Sequence, residues 1–561
     1  MRMLRRGRCR LIVGMAWIGS AAGGLHGQDR EHAGLGTVDF PVSCSAEAQV
    51  EFNRGIALLH HMTYPRARES FERTVELDPG CAMAHWGIAM TLFQPLWPTR
   101  PGPPELRRGW EAVRAARSLE PPTARERELV AAAAAFFDPD ARDYWDRIHR
   151  WERAMERVRA AFPDDPEIAA FYALAHLAVA PADTVSLAHA ERAAAFLLAV
   201  YERNPDHPGA MHYLVHANDV PGRERQFLEI IRKYETTAPH NPHALHMPTH
   251  IYTRLGDWGA VIRGNLLAAE AALEHPAGER GEFVWDEFPH AIEYLLYAYL
   301  QQGADAEAAA QLKRLHDTAR LQPTLKTAFH LASTSARYAL ERQAWEEAMA
   351  LEPRVPESLD WDRFTWPEAV TWYARGLGAA RQIRFDDAGA AAGRLEALEA
   401  AAASAGEALF ARNIRILRLE VNAWIAQAEQ DTQSSAALMR QAAALEAATP
   451  KHAVTPGPTL PGYELLGDLL LEQSRPAEAL AAYRHSLELY PRRFNGVLGA
   501  ARAARASGHG AAAQVYYREL LELGDRGARP AAMREARAYV SRPGGARRTP
   551  LPDGRDFRRE P

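Results

Sequence analysis

Along nearly the whole chain, apolar residues recur at i, i+3, i+4 and i+7, and no stretch alternates in the manner of a strand. That spacing lines one face of a helix. Pro and Gly fall between these stretches, where helices end. The pattern predicts an all-α chain of short helices. Two neighbouring stretches also superpose at 34 residues. With Pro208 and Pro242 each counted as position 1, Gly222 and Gly256 both fall at 15, Phe227 and Val261 at 20, Ile231 and Asn265 at 24, and Tyr234 and Ala268 at 27. Pro239 closes the first unit at 32. The same register started at Ala48 places Gly55 at 8, Ala67 at 20, Phe71 at 24 and Pro79 at 32. Started at Leu460, it places Gly467, Ala479, Tyr483 and Pro491 at those four positions.

This register resembles the tetratricopeptide repeat, a two-helix unit of 34 residues. The resemblance implies a TPR-like α-solenoid, a right-handed superhelix of antiparallel helix pairs. Small residues at 8 and 20 let the two helices approach, and the aromatic at 24 fills the gap to the neighbour. One such unit cannot bury its own apolar face, so units must stack. The resemblance covers most of 44–530 and is clearest at 48–81, 208–275, 289–322, 460–493 and about 494–527. It divides the chain into an N-terminal linker (28–43) and a repeat array (44–449) with insertions at 94–104 and 275–288. A Pro-rich linker (450–461) and a C-terminal repeat pair (462–540) follow. The tail at 541–561, rich in Arg, Pro and Gly with no helical face, reads as disordered. Most Pro-rich loops merely connect; the alternative for 450–461 is to fold over the groove. The blocks His207-Pro208-Gly209-Ala210-Met211-His212-Tyr213, His243 to His250 and Lys451 to Gly457 are similar to a wider bacterial group of tetratricopeptide-repeat proteins with no assigned activity. That likeness strengthens the fold and leaves the chemistry open.

Composition narrows the setting. The 561 residues are 47% hydrophobic and 24% charged, ordinary globular values. A net charge of −5 argues against a nucleic-acid binder. No apolar run reaches the roughly 20 residues of a membrane span. The first 27 residues carry Arg2, Arg5, Arg6, Arg8 and Arg10, no acid, and then an apolar run from Leu11 to Leu25. This is the pattern of a signal peptide (1–27), and it predicts a periplasmic or secreted protein. Its removal would take the net charge from −5 to −10. Cys44 and Cys81 would then remain, and an oxidising compartment favours a bridge between them. The alternative is two separate buried thiols.

Seven of the 22 His fall in residues 207–250, where an even spread would put fewer than two. His212 and His216 occupy positions 5 and 9 of one unit, and His246 and His250 occupy positions 5 and 9 of the next. An i,i+4 pair puts both rings on one helix face. In the family resembled, positions 2, 5, 9, 12 and 13 line the concave groove, so these four imidazoles should share a patch there. Such donors suit Zn or Cu. His207, His243 and His290 are candidates for further ligands or for groups that orient the rings. Pro248 falls inside the nominal helix and disturbs the match between the two units.

Two classes of function follow. One is an exported α-solenoid scaffold whose concave groove takes a protein or peptide partner, with a His-rich divalent metal site at its centre. The other is a metal-dependent hydrolase-like enzyme using the same His cluster, with Asp219 or Glu293 as general base. A metal-free assembly scaffold with purely structural His is the plainer alternative. The crowded Trp361, Phe364, Trp366, Trp372 and Tyr373 read as core, and His60 and His61 as helix-end caps. No nucleophile elbow, Walker loop, H-E-x-x-H or dinucleotide fingerprint is present.

Overall fold

The computed structural model describes residues 34–541 apart from 98–99, 182, 279 and 525–528. The segment read as a signal peptide, and the tail beyond Ser541, lie outside the described residues. Within them the chain is an all-α solenoid of antiparallel helix pairs. The pairs run from Ala46–His60 with Tyr64–Leu77 to Phe494–Ala506 with Gly510–Leu523, and Pro530–Val540 packs at the end. Asp, Asn, Ser and Thr side chains start many of the helices. Ser45, Thr123, Asp165, Asn241 and Thr324 each accept a hydrogen bond from a backbone N–H of the first turn. Among the described residues the strands are Pro276–Ala277 and Phe283–Val284, an antiparallel pair inside the 275–288 insertion.

The repeat register has a direct packing cause. The Phe71 ring lies between two helices that meet it with Gly55 and Gly87. A Cβ at Gly87 would sit 2.4 Å from the ring. Tyr483 is held in the same way by Gly467 and Gly499. Position 8 must therefore be small because the aromatic at 24 occupies the space a side chain would need.

Three segments outside the helices depart from the picture of plain connectors. From Gly34 onward the N-terminal segment is a packed strap. Thr37 N–H donates to the Asp206 carbonyl at 2.9 Å, and Phe40 is buried against Phe52, Trp86 and Phe171. The Cys44 and Cys81 sulfurs are bonded, closing a 37-residue loop beside this strap. The 94–104 insertion sends Trp97 against Trp285 and His243.

The 450–461 loop lies across the concave face. Arg337 donates to the carbonyls of Gly457, Pro458 and Thr459, and Lys451 pairs with Asp219 at 2.8 Å. Both arms of the solenoid also grip its middle. His60 and His61 reach Tyr213 and Tyr234, while Arg493 reaches the Tyr297 hydroxyl and Glu341. Trp361, Phe364, Trp366 and Tyr373 are buried core.

Candidate metal centre

Three successive helical hairpins supply the site. The helix Pro208–Asn218 carries His212 and His216, the next A helix carries His243, His246 and His250, and Glu287–Gln301 carries His290 and Glu293. The assigned helix breaks at Met247, into Pro242–His246 and Pro248–Leu255. Met247 nevertheless keeps φ −54° and ψ −43°, so the backbone passes through the proline with its direction preserved. His246 and His250 consequently stay on one face, with their Nε2 atoms 3.0 Å apart.

The tandem register groups His212, His216, His246 and His250 as one four-imidazole patch. The structure draws them into two neighbouring sets of three. In one, His212 Nε2 lies 3.2 Å from His216 Nε2 and 3.2 Å from His243 Nε2. In the other, His246 and His250 converge with His290, whose ring centre is 4.2 Å from that of His246. The sets approach each other where the rings of His216 and His250 stand 6.4 Å apart. His243 and His290 are thus equal members of the two sets.

The protons decide what these sets can do. His212 Nδ1 lies 2.6 Å from the His60 carbonyl, which can only accept, so Nδ1 holds the proton and Nε2 is a bare lone pair. His246 Nδ1 donates to Asn265 Oδ1 at 2.6 Å, while the Asn265 amide donates to Thr249 and the Val261 carbonyl. His250 Nδ1 donates to Asp219 Oδ2 at 2.8 Å. For His290 the assignment runs through a relay. His330 Nδ1 donates to Glu293 Oε2 at 2.5 Å, so His330 Nε2 accepts from His290 Nδ1 at 3.0 Å. Four of the six imidazoles therefore have the proton tied outward and the lone pair turned inward. His243 Nδ1 sits 3.2 Å from Glu287 Oε2 but is not aligned to bond it, and both atoms are buried without a partner.

Burial, reinforced by the neighbouring imidazoles, holds His212, His216, His246 and His290 well below the usual His range. Burial and then Lys451 bring His250 down to about 4. Neutral imidazole is the ligand form. Nε2 atoms around one tetrahedral ion at about 2.0–2.1 Å would be about 3.3 Å apart, close to the separations found. Each set offers three donors, and beside the second the Tyr294 hydroxyl lies 3.3 Å from His250 Nε2.

The two carboxylates considered as bases are otherwise engaged. Burial pushes Asp219 upward, but Lys451 and Arg254 hold it well below the usual carboxylate range. Its oxygens meet His250, Lys451 and Arg254. Glu293, fully buried, accepts from His330, Ser333 and Arg337. Neither has a free lone pair facing the imidazole sets in the manner a general base requires.

His207 belongs elsewhere. Its Nδ1 caps its own helix by accepting from Ala210 N–H, and its Nε2 donates to Glu167 at 3.2 Å. His60 donates to the other Glu167 oxygen at 2.9 Å and accepts from the Tyr213 hydroxyl. In this third cluster every imidazole proton and carboxylate oxygen is matched, so it needs no cation. It is a buried structural tie; His61 is the C-cap residue of its helix, with His60 in the last turn, and both side chains also tie this helix to its neighbours. His330, Asn265 and Lys451 were not among the site residues expected. Two of them left a trace in the register. Asn265 stands at position 24, where other units carry an aromatic, and counting on from Pro289 puts Pro323 at 1 and His330 at 8.

A cavity of about 210 Å³ adjoins the first set, and His216 forms part of its wall. His216 is the half-buried member of the six; the other five are at most 4% exposed.

No family model matches the chain, and no curated protein matches it. Solved structures with a similar chain path are helical-repeat proteins. The human IFIT1 dimer with m7Gppp-AAAA aligns over 79% of this chain and 90% of its own at 13% identity and a TM-score of 0.35. Yeast Tom70 aligns over 88% and 95% at 12% identity and 0.28. The Cut9–Hcn1 hetero-tetramer of APC/C aligns over 88% and 97% at 13% and 0.27. Likeness at this level adds nothing to the geometry above. Among the described residues no helix is long and apolar enough to cross a membrane.

Proposed function

We propose that this chain is a metalloprotein whose helical-repeat scaffold holds two transition-metal ions side by side, one in each three-imidazole set. The observation that carries the reading is the direction of the protons. In the His246, His250 and His290 set, bare lone pairs about 3 Å apart repel one another when nothing lies between them; in the first set His212 is fixed in the same way, and the groups that fix these four rings are spread over four hairpins. Such outer partners orient metal-binding imidazoles and raise their basicity. All-imidazole sets suit Cu or Zn. When bound, either ion supplies Lewis acidity at its open position, and Cu also supplies electron transfer. The protein's part is to hold the rings, exclude water and leave one face of the first set towards the cavity.

Two other readings receive less support. A peptide in the concave groove would meet only His216, since the other five imidazoles are at most 4% exposed. A hydrolase with Asp219 or Glu293 as base would have to break three contacts to free either one.

The test is ion content. Protein prepared without chelator and reconstituted with Cu or Zn should hold two ions per chain. His212→Ala should remove one, and His246→Ala the other. A chain that keeps no ion, or variants that both keep two, would refute the reading.

A further inference from the structure

The charges around the two imidazole sets cancel before any metal enters. Asp219, Asp286, Glu287 and Glu293 are matched by Lys326, Arg254, Arg337 and Lys451, through ion pairs at 3.5 Å or less. Imidazole binds a metal as the neutral ring, so the ligands bring no counter-charge. Each ion, on the reading above, therefore adds positive charge to a buried place that has no counter-charge to spare. Leaving such charge uncompensated is expensive, so an anion should accompany the metal. Asp219 and Glu293 are already engaged, and the unpartnered Glu287 Oε2 faces His243 Nδ1, on the far side of that ring from its Nε2.

The cavity beside His216 is built for that anion. Arg100, Arg254 and Lys451 line it against two carboxylates, Asp219 and Glu407. Arg254 and Lys451 are tied to Asp219. Arg100 is less committed. Its NH2 nitrogen is 3.6 Å from Glu407, another nitrogen donates to the Trp97 carbonyl, and its Nε is shielded from solvent without a partner. Its guanidinium lies over Tyr144, 3.9 Å from the ring centre, which holds it in place. Much of the remaining wall is apolar, with Leu96, Trp97, Trp145, Leu177 and Phe410, while Thr184, Ser186, His189 and His452 add polar groups.

We infer that this cavity binds a small aromatic carboxylate, with its acid group at Arg100 and its ring between Trp97, Trp145 and Phe410. Resting on the metal reading, this assigns the class of molecule brought beside the open position of the His212, His216 and His243 set. A free aliphatic anion lacks the flat body, and an aromatic amine has the wrong charge.

Benzoate, acetate and benzylamine test it by calorimetric titration into the reconstituted full chain, with ion content measured on the same samples. Benzoate should bind at least tenfold tighter than either of the others. Arg100→Gln should weaken benzoate and acetate alike and remove the preference over benzylamine with ion content unchanged, and Trp145→Ala should weaken benzoate while leaving acetate where it was. Two ions per chain without a benzoate preference, or a preference over benzylamine untouched by Arg100→Gln, would overturn this inference and leave the metal reading standing. A chain without ions that still prefers benzoate through Arg100 would sink the metal reading alone. A chain with neither would sink both.

Discussion

Replacing His330 by Phe would cut the relay that sets the His290 tautomer while keeping a ring of similar size in a fully buried position. His290 Nδ1 would lose its acceptor at 3.0 Å, and its proton would no longer be fixed away from the second imidazole set. Removing an outer partner of this kind lowers metal affinity about 10–100-fold, or about 1.4–2.7 kcal/mol. Only the His246, His250 and His290 set should feel it, because His212 is fixed through the His60 carbonyl on another helix. Glu293 would keep Ser333 and Arg337 as donors but lose its His330 contact, so stability should fall by about 1–3 kcal/mol. His330→Gln can accept from His290 and donate to Glu293, and should recover most of the affinity. The assay is a metal titration against a competing chelator that resolves the two ions, with far-UV circular dichroism as the check on folding. Equal weakening of both ions in folded protein, or no weakening of either, would refute the relay.

Gly209→Ala should destabilise the chain by about 1–3 kcal/mol by forcing a methyl to within 2.5 Å of His60 Nδ1, read as a lowered urea midpoint. Reducing the Cys44–Cys81 bond should cost roughly 3–4 kcal/mol in the chain-entropy treatment of a 37-residue loop, read as earlier thermal unfolding under reductant. Burial, above all, lowers His61 from 6.5 to about 3. The unfolded chain then takes a proton that the folded chain refuses, so stability is full above pH 6.5 and falls between 6.5 and about 3. His61→Gln should flatten that fall by about one proton, or about 1.4 kcal/mol per pH unit; an unchanged slope in urea titrations would count against it. Arg337→Met should free the 450–461 loop and make it the first site of limited proteolysis.

The helices and their pairing were readable because the signals are local: Gly55 and Phe71, or Gly467 and Tyr483, sit at fixed offsets that only one packing satisfies. The clustering of His in two adjacent hairpins was readable for the same reason. Its division into two sets was not, because it depends on how far one hairpin is rotated against the next, and no single residue reports that angle. His207, a candidate for a further ligand or an orienting group, caps its own helix and pairs with Glu167, which lies 40 residues earlier and so gives no local signal. The 450–461 loop read as a connector because its anchors, Arg337 and Asp219, are more than 100 residues away in sequence.

The central claim is that two ions sit apart, each among three imidazoles. Anomalous diffraction at the absorption edge of the reconstituted metal tests it most directly. Two peaks are expected, one equidistant from the Nε2 atoms of His212, His216 and His243 and one from those of His246, His250 and His290, at about 2.0–2.1 Å. A single peak shared by His212, His216, His246 and His250, or density at neither position in metal-loaded crystals, would contradict it.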